Sequence, residues 1–372
     1  YDVYEEWRPH MERVLIAGDD DQVVYAWQGA DPELLLNTHV TDDVVLPNSY
    51  RLPSQVLQVV QQEISHIETR QEKDLKPRKE GGSVEAIDSP SMLDLVRNVR
   101  RTIQNTDDET VMVLFRARYQ LFDFVDEFIG EGIPFRALTD QRMWTDRLQQ
   151  YINAVEALET DDDVNGLEAR RLMDMLQDSA FGTRERNDLR EAIDEAQGED
   201  TDLTELTFAA DFIRDYVPFV PGPSAAADML RKVTRYQRRS IDAYFQGDYR
   251  GTDPERVRVG TIHSAKGREA DHVFLATDLT EKVVEQMAAT ADPEDVPDDI
   301  EFTSNTSPVP ILTDNERRVF YVGMSRARER LVLLQNLVGG APTLPIDVLL
   351  YGEQTGQTLE DALEADTPIQ LP

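Results

Sequence analysis

A parallel α/β fold carrying a helical insertion is what the 372 residues predict. Three observations carry that prediction. Strand-like apolar runs recur along the chain, among them "TVMVLF" (Thr110–Phe115), "HVFLA" (His272–Ala276) and "LVLLQ" (Leu331–Gln335). Between Thr110–Phe115 and the strand-like Ile133–Leu138, "YQLFDFVDEFIGEG" spaces its apolar residues at helical intervals and stops at glycine. Strand, helix, strand in that order implies a parallel sheet with crossover helices. From Gln141 to about Pro254 the character changes to polar and helical, as in "LQQYINAVEALE" and "GLEARRLMDMLQDS".

Taken in order, Met11–Gly18 ("MERVLIAG") reads as a buried strand ending at a glycine turn, and Val44–Leu46 as a second short strand. Pro53–Ile64 has helical spacing with proline at its start. Lys73–Gly82 is charged and ends in Gly-Gly, which makes it a loop, and Ser83–Ile87 is strand-like. Inside the helical stretch, "GEDTD" (Gly198–Asp202) and "VPFVPGPS" are breaks. Strands return at Arg256–Ile262, then at the two later runs named above. Glu281–Thr313 is a long acidic, proline-rich connection, uncommon inside a compact domain and therefore read as a mobile or functional loop. The last twenty or so residues read as a weakly ordered tail. There is no internal repeat.

Composition narrows the class. No cysteine occurs, so disulfides and thiolate metal sites are excluded, and the five histidines are scattered. No apolar run approaches the ~18–20 residues of a membrane helix. The opening "YDVYEEWRPH" has no initiator methionine and no secretory pattern, and reads as the middle of a longer sequence. There are 72 acidic residues against 38 basic ones, a net charge of −34, and only six of the bases are lysine. The apolar content of 40% argues against an acidic disordered chain. A surface suited to molar salt explains the excess, because at ~1 M the Debye length falls to ~3 Å and self-repulsion is screened. Negative charge is then no argument against a nucleic-acid partner.

Four motifs carry chemistry. "IAGDDDQVVYAWQGAD" (Ile16–Asp31) sets three acids, a glutamine and a Y-x-W pair within a dozen residues. "LPNSYRLP" (Leu46–Pro53) places Tyr50 and Arg51 after a strand. "VGTIHSAKGREADHVFLA" (Val259–Ala276) sets T-x-H, A-K-G and a glutamate between two strands. "ERRVFYVGMSRARERLVLL" (Glu316–Leu334) is an arginine-rich helix before a strand. Each alone has a bland reading: arginines on a solvated face, a tyrosine half-buried beside a strand, a strand-end histidine held structurally. Trp27 alone could be a core tryptophan.

In this order and at these intervals the four motifs closely resemble motifs three to six of superfamily-one DNA helicases of the UvrD/Rep/PcrA type. The resemblance implies a RecA-like parallel sheet, the core domain of a P-loop NTPase-type helicase. It divides the chain into a C-terminal remnant of a first RecA-like domain (1–40), a second such domain (41–140 and 256–350), a helical accessory insertion (141–255) and an acidic tail (351–372). It implies that Gln22 senses the γ-phosphate of ATP, and that Arg51 and Arg326 reach the same phosphate. An arginine so placed is worth ~10³–10⁵ in rate. Tyr50 is implied to stack on adenine, Glu269 to accept from the ribose hydroxyls, and Gly267 to let the backbone approach closely. Tyr25 and Trp27 are implied to stack on single-stranded DNA bases, with Thr261 and His263 contacting the strand. One short segment would then touch ATP at Gln22 and DNA at Trp27.

The pattern also departs from the family. Gln28 stands at a usual arginine, Ser49 at a usual asparagine, Leu52 at a small hydroxyl residue, and Arg268 at a leucine. No G-x-x-x-x-G-K-[ST] occurs, and the family's Walker A and Walker B motifs lie upstream of motif three. The Mg²⁺ ligands are therefore expected upstream of this chain, which alone is expected not to hydrolyse ATP. Asp19–Asp21 are read as turn structure and hydrogen bonding, and no metal site is assigned. The resulting expectation is the C-terminal part of a cytoplasmic, halophilic DNA helicase in DNA repair or a related pathway. It would translocate 3′ to 5′ on single strands and act at single-strand/duplex junctions. The rival is a non-catalytic module, binding nucleic acid or a partner, that kept the fold without the motor. A helicase–nuclease subunit finds no nuclease motif downstream.

Overall fold

The computed structural model describes residues 2–139, 143–183, 186–198, 201–291, 296, 311–339 and 341–345. The expected tail, 351–372, and most of the Glu281–Thr313 connection lie outside them. The chain forms two compact units, Tyr1–Leu121 with Gly260–Pro372, and Phe122–Val259. The first begins with helices α1 (Asp2–Trp7), α2 (Pro32–Leu36) and α3 (Ser54–Ser65), then strand β1 (Ser83–Asp88), α4 (Met92–Asn105) and β2 (Val111–Phe115). Helix α5 (Arg118–Phe128) runs into the second unit, whose elements are β3 (Arg136–Ala137), α6 (Asp146–Glu159), β4 (Val164–Asn165), α7 (Gly166–Met175), α8 (Arg186–Gln197), β5 (Thr207–Phe208), α9 (Ala210–Tyr216) and α10 (Arg235–Gln246). Strand β6 (Val257–Thr261) brings the chain back to β7 (Ala270–Ala276), α11 (Glu281–Ala288), α12 (Asp314–Met324) and β8 (Ala327–Gln335).

The strands make a six-stranded parallel sheet in the order β1-β8-β7-β2-β6-β3, with residues of β6 in both units. Val84 pairs with Leu331, Leu331 with Val273, Val113 with Phe274, and Arg136 with Arg258. Every residue of β2 is buried, as a strand covered on both faces must be. This is the RecA-like arrangement that the sequence predicts. In the second unit β4 and β5 pair antiparallel, and the helices α6, α7, α8 and α10 bury Tyr151, Leu172, Ile193 and Tyr244 respectively. Among the described residues no helix is long and apolar enough to cross a membrane.

Helix α4 starts at a capping box, Ser91 with Asp94, and buries Leu95, Val96, Val99 and Ile103. Helix α12, capped by Thr313, differs: every residue from Glu316 to Met324 is buried, the charged ones included. Arg116 at the end of β2 holds Glu316 by two hydrogen bonds, 2.5 and 3.0 Å, and Arg317 faces Glu63 of α3 at 3.4 Å. At Gly323 a Cβ would lie 3.0 Å from the Leu275 side chain, so the absent side chain lets α12 pack closely on β7. Past β7, the buried Asp278 carboxylate accepts from the amides of Leu337 and Val338, both at 3.3 Å. Burial pushes its pKa up to about 7, against those hydrogen bonds.

Several sequence expectations need correction. Met11–Gly18 and Val44–Leu46 are not strands, and Leu15, Val44 and Leu46 are 93%, 77% and 75% exposed. A strand needs a neighbour to complete its ladder, and among the described residues nothing pairs with either run. Ile133–Leu138 shortens to the two residues of β3. The helix predicted from Pro53 begins at Ser54, with Pro53 as its N-cap. The Glu281–Thr313 connection opens with helix α11, so it is not wholly loop.

Candidate functional site

The segment Gly18–Gly29 carries no regular helix or strand longer than one 3₁₀ turn, so side chains must fix it. Asp19 caps the turn Asp20–Gln22, accepting from the Asp21 amide at 3.2 Å. Asp20 and Asp21 are buried, 2% and 0% exposed. The ammonium of Lys73 reaches Asp19 at 3.0 Å, Asp21 at 2.8 Å, and Asp20 as well. Arg70 grips Asp21 with two hydrogen bonds of 2.9 Å, and the Gln71 amide donates to Asp20 at 2.8 Å. Burial opposes the charge of Asp21, but Arg70 and Lys73 outweigh it and hold the carboxyl below its ordinary range. The acid triplet takes the hydrogen-bonding role read from the sequence. Its three carboxylates already surround an ammonium, so they do not fit a resident divalent ion.

Gln22 follows this turn directly. Its amide nitrogen donates to Asp19 at 2.6 Å, and its carbonyl oxygen accepts from Arg326 at 3.4 Å. Arg326, 1% exposed, also donates to the Val322 and Arg268 carbonyls, at 2.8 and 3.3 Å, and to the Ser325 hydroxyl at 2.8 Å. Burial first, and then the Arg51 charge, push its pKa down to about 10, so it stays charged at neutral pH. Arg51 donates to Glu269 at 3.0 Å and to the Ser325 carbonyl at 2.9 Å. Arg328 takes the other oxygen of Glu269 at 3.1 Å. The Arg51 hydrogen bond holds the Glu269 carboxyl below its ordinary range. Gly267 has φ +81°, a conformation that disfavours a side chain, and open space where a Cβ would project. The Tyr50 ring is 85% exposed.

The structure thus brings Gln22, Arg51, Arg326 and Glu269 together, with Tyr50 next to Arg51 in sequence. The Arg51 guanidinium disfavours the charge of the buried Arg326, and an anion placed between them would relieve that. Glu269 is engaged by arginines on both oxygens, a role that its spacing alone does not disclose.

Toward the C-terminal side of the same segment lie the aromatic candidates. The Tyr25 hydroxyl donates to the His263 carbonyl at 3.0 Å, and the rings of Tyr25 and His263 lie 6.0 Å apart. Trp27 sits edge-on to Tyr25 at 6.4 Å and is 73% exposed, which rules out the core reading. Thr261 ends β6 and begins the 3₁₀ turn Ile262–Ala265 that carries His263. Burial, then the Arg116 charge, push the His263 pKa down to about 4, with a hydrogen bond to Val24 acting the other way. His263 is therefore neutral at pH 7. Lys266, which the sequence analysis did not single out, donates to the Gln22 carbonyl at 2.8 Å and lies 5.7 Å from the Tyr25 ring centre. The two groups of candidates are joined by five residues of chain and by this lysine.

Lys73, Arg70, Lys266 and Arg328 were missed because their partners are distant in sequence. The one available signal is the lysine itself, rare in an arginine-dominated chain. Residues 240–337 match the family model of the UvrD-like helicase C-terminal domain. That span includes β6, His263, Glu269, α12 and Arg326, and leaves out the Gly18–Gly29 segment and Arg51. No curated protein matches the chain.

Proposed function

We propose that the chain, whose residues 240–337 match the family model of the UvrD-like helicase C-terminal domain, is the C-terminal part of an ATP-dependent DNA translocase and helicase. The observation that carries the reading is the double attachment of one short segment, Gln22 to Arg326 and Tyr25 to His263. A displacement at the arginine end is passed to the aromatic end through only two intervening residues.

ATP, with its Mg²⁺, is the proposed ligand and supplies the free energy of phosphoryl transfer to water. Arg326 and Arg51 would bind the terminal phosphate and stabilise the charge that grows on it. Gln22, held between Asp19 and Arg326, would orient the attacking water. Tyr50 would stack on the base, and Glu269 would exchange an arginine for a ribose hydroxyl. Trp27 and Tyr25 would hold single-stranded DNA by stacking, which is tolerant of sequence. Alternation between tight and loose stacking as Gln22 moves would give directional stepping, 3′ to 5′ by family likeness.

The test is ATP hydrolysis by the full-length protein in molar KCl, with and without single-stranded DNA. Strong stimulation by DNA is expected. Arg326→Ala should abolish turnover and spare DNA binding. Absence of hydrolysis in both conditions would sink the motor reading and leave a binding module with a helicase-like fold.

A further inference from the structure

The acid triplet is the one part of the opening motif that the proposed motor does not use. Its surroundings show what it does. Lys73 has three N–H donors, and three carboxylates meet them. The chain has six lysines against 32 arginines. A planar guanidinium confines its donors to one plane, whereas an ammonium directs three of them in tetrahedral directions toward separately placed carboxylates. Arg70 adds the paired grip on Asp21. Arg318 of α12 donates to the Asp20 carbonyl at 3.0 Å and to the Thr69 carbonyl, tying the Arg70–Lys73 loop and the triplet to one helix. Eight residues further on, the chain emerging from the same helix supplies Arg326 to Gln22. On its N-terminal side the segment is preceded by Met11–Gly18, which is exposed and belongs to no strand.

We infer that Lys73, with Arg70, is a positioning residue that sets the place of Gln22 beside Arg326 by clamping the Asp19–Asp21 carboxylates. The inference rests on the proposed motor for its catalytic consequence, and on geometry alone for its structural one. The pairs of Lys73 with Asp20 and Asp21 are shielded from solvent, at 13% side-chain exposure for Lys73, 3% for Asp20 and 0% for Asp21, so salt screens them far less than surface pairs. A clamp of this kind keeps its grip in the molar salt that the surface charge suits.

Two readouts separate the consequences. The chain contains no cysteine, so Val23→Cys gives a single attachment point for a nitroxide label beside Gln22. In Lys73→Met, and in the milder Asp19→Asn, the label should become clearly more mobile while unfolding stays cooperative. Lys79→Met, which breaks a more exposed lysine pair with Glu329 away from the triplet, should leave the label as it is. An unchanged label in a folded Lys73→Met protein, or in Asp19→Asn if Lys73→Met does not fold, overturns the clamp. In the full-length protein, Lys73→Met should lower kcat by about tenfold to a hundredfold, the scale of a misplacement near 1 Å. KM for ATP should stay within about twofold, since Arg51, Tyr50 and Glu269 are untouched. Lys73→Arg should recover only part of the loss. A loosened label with wild-type kcat overturns the positioning role. A wild-type protein that does not hydrolyse ATP overturns the proposed motor instead, and the label still decides the clamp.

Discussion

The hydroxyl of Tyr25 donates to the backbone carbonyl of His263 at 3.0 Å, fastening the aromatic segment to the turn that follows β6. These residues are 238 positions apart in sequence and belong to the two motifs expected to hold DNA. The bond fixes the Tyr25 ring, and with it the edge-on contact to Trp27. Tyr25→Phe keeps the ring and removes the bond. A part-buried hydrogen bond is worth about 0.5–1.5 kcal/mol, so the thermal midpoint should fall by about 1–4 °C. An unchanged midpoint by calorimetry would show that the bond does not hold the segment.

Trp27 should carry an unusually large share of single-stranded DNA affinity in high salt. Phosphate contacts weaken steeply with salt through counterion release, while stacking does not depend on it. One stacked base is worth ~1–3 kcal/mol, so Trp27→Ala should weaken binding by about fivefold or more in ~2 M KCl. Fluorescence anisotropy with a labelled oligonucleotide measures this. A change within about twofold removes Trp27 from the binding surface.

His263 should make stability depend on acid. Its folded pKa is about 4, below the ordinary value of about 6.5 that the unfolded chain retains. As the pH falls from about 6.5 to 4, the unfolded state takes up a proton that the folded site refuses. Stability is therefore lost across that window and levels off below it. His263→Gln, compared with the parent by thermal unfolding between pH 5 and 7.5, should show a shallower acid slope. Parallel slopes would mean that His263 is not held neutral.

Asp278 works with the opposite sign. Its folded pKa is raised to about 7, so between about pH 4 and 7 the folded site keeps a proton that the unfolded chain has released. Stability falls as the pH rises through that window and is flat above it. The thermal midpoint of Asp278→Asn, relative to the parent, should therefore rise from pH 5 to pH 8. A difference that does not vary with pH would place the carboxyl in water rather than in the core.

What the sequence disclosed follows from how local each signal is. The buried strands β2, β7 and β8 were readable because a parallel sheet covered on both faces leaves short apolar runs. The candidate residues were readable because their spacing within each motif is short. The run Met11–Gly18 misled because a strand is completed by a neighbour, and a local pattern is the same with or without one. Helix α12 misled in the other direction: Glu316, Arg317 and Arg318 suggest a wet face, yet each is buried against a partner 200 or more positions away, or against distant carbonyls. The clamp on Asp19–Asp21 was invisible for the same reason, since Lys73 and Arg70 lie about 50 residues downstream.

The burial of α12 from Glu316 to Met324 has a mechanical consequence. A helix with a wet side can roll or slide a little, because water yields. Beyond Asn315 this one is walled in by α3, β7 and the turns at Asp20 and Ile262, and its charged residues Glu316, Arg317 and Arg318 are each held by a partner. It has the stiffness of a strut. A push delivered near Glu316 would arrive at Met324, two residues before Arg326 and about 12 Å along the axis at 1.5 Å per residue, with little lost to bending on the way.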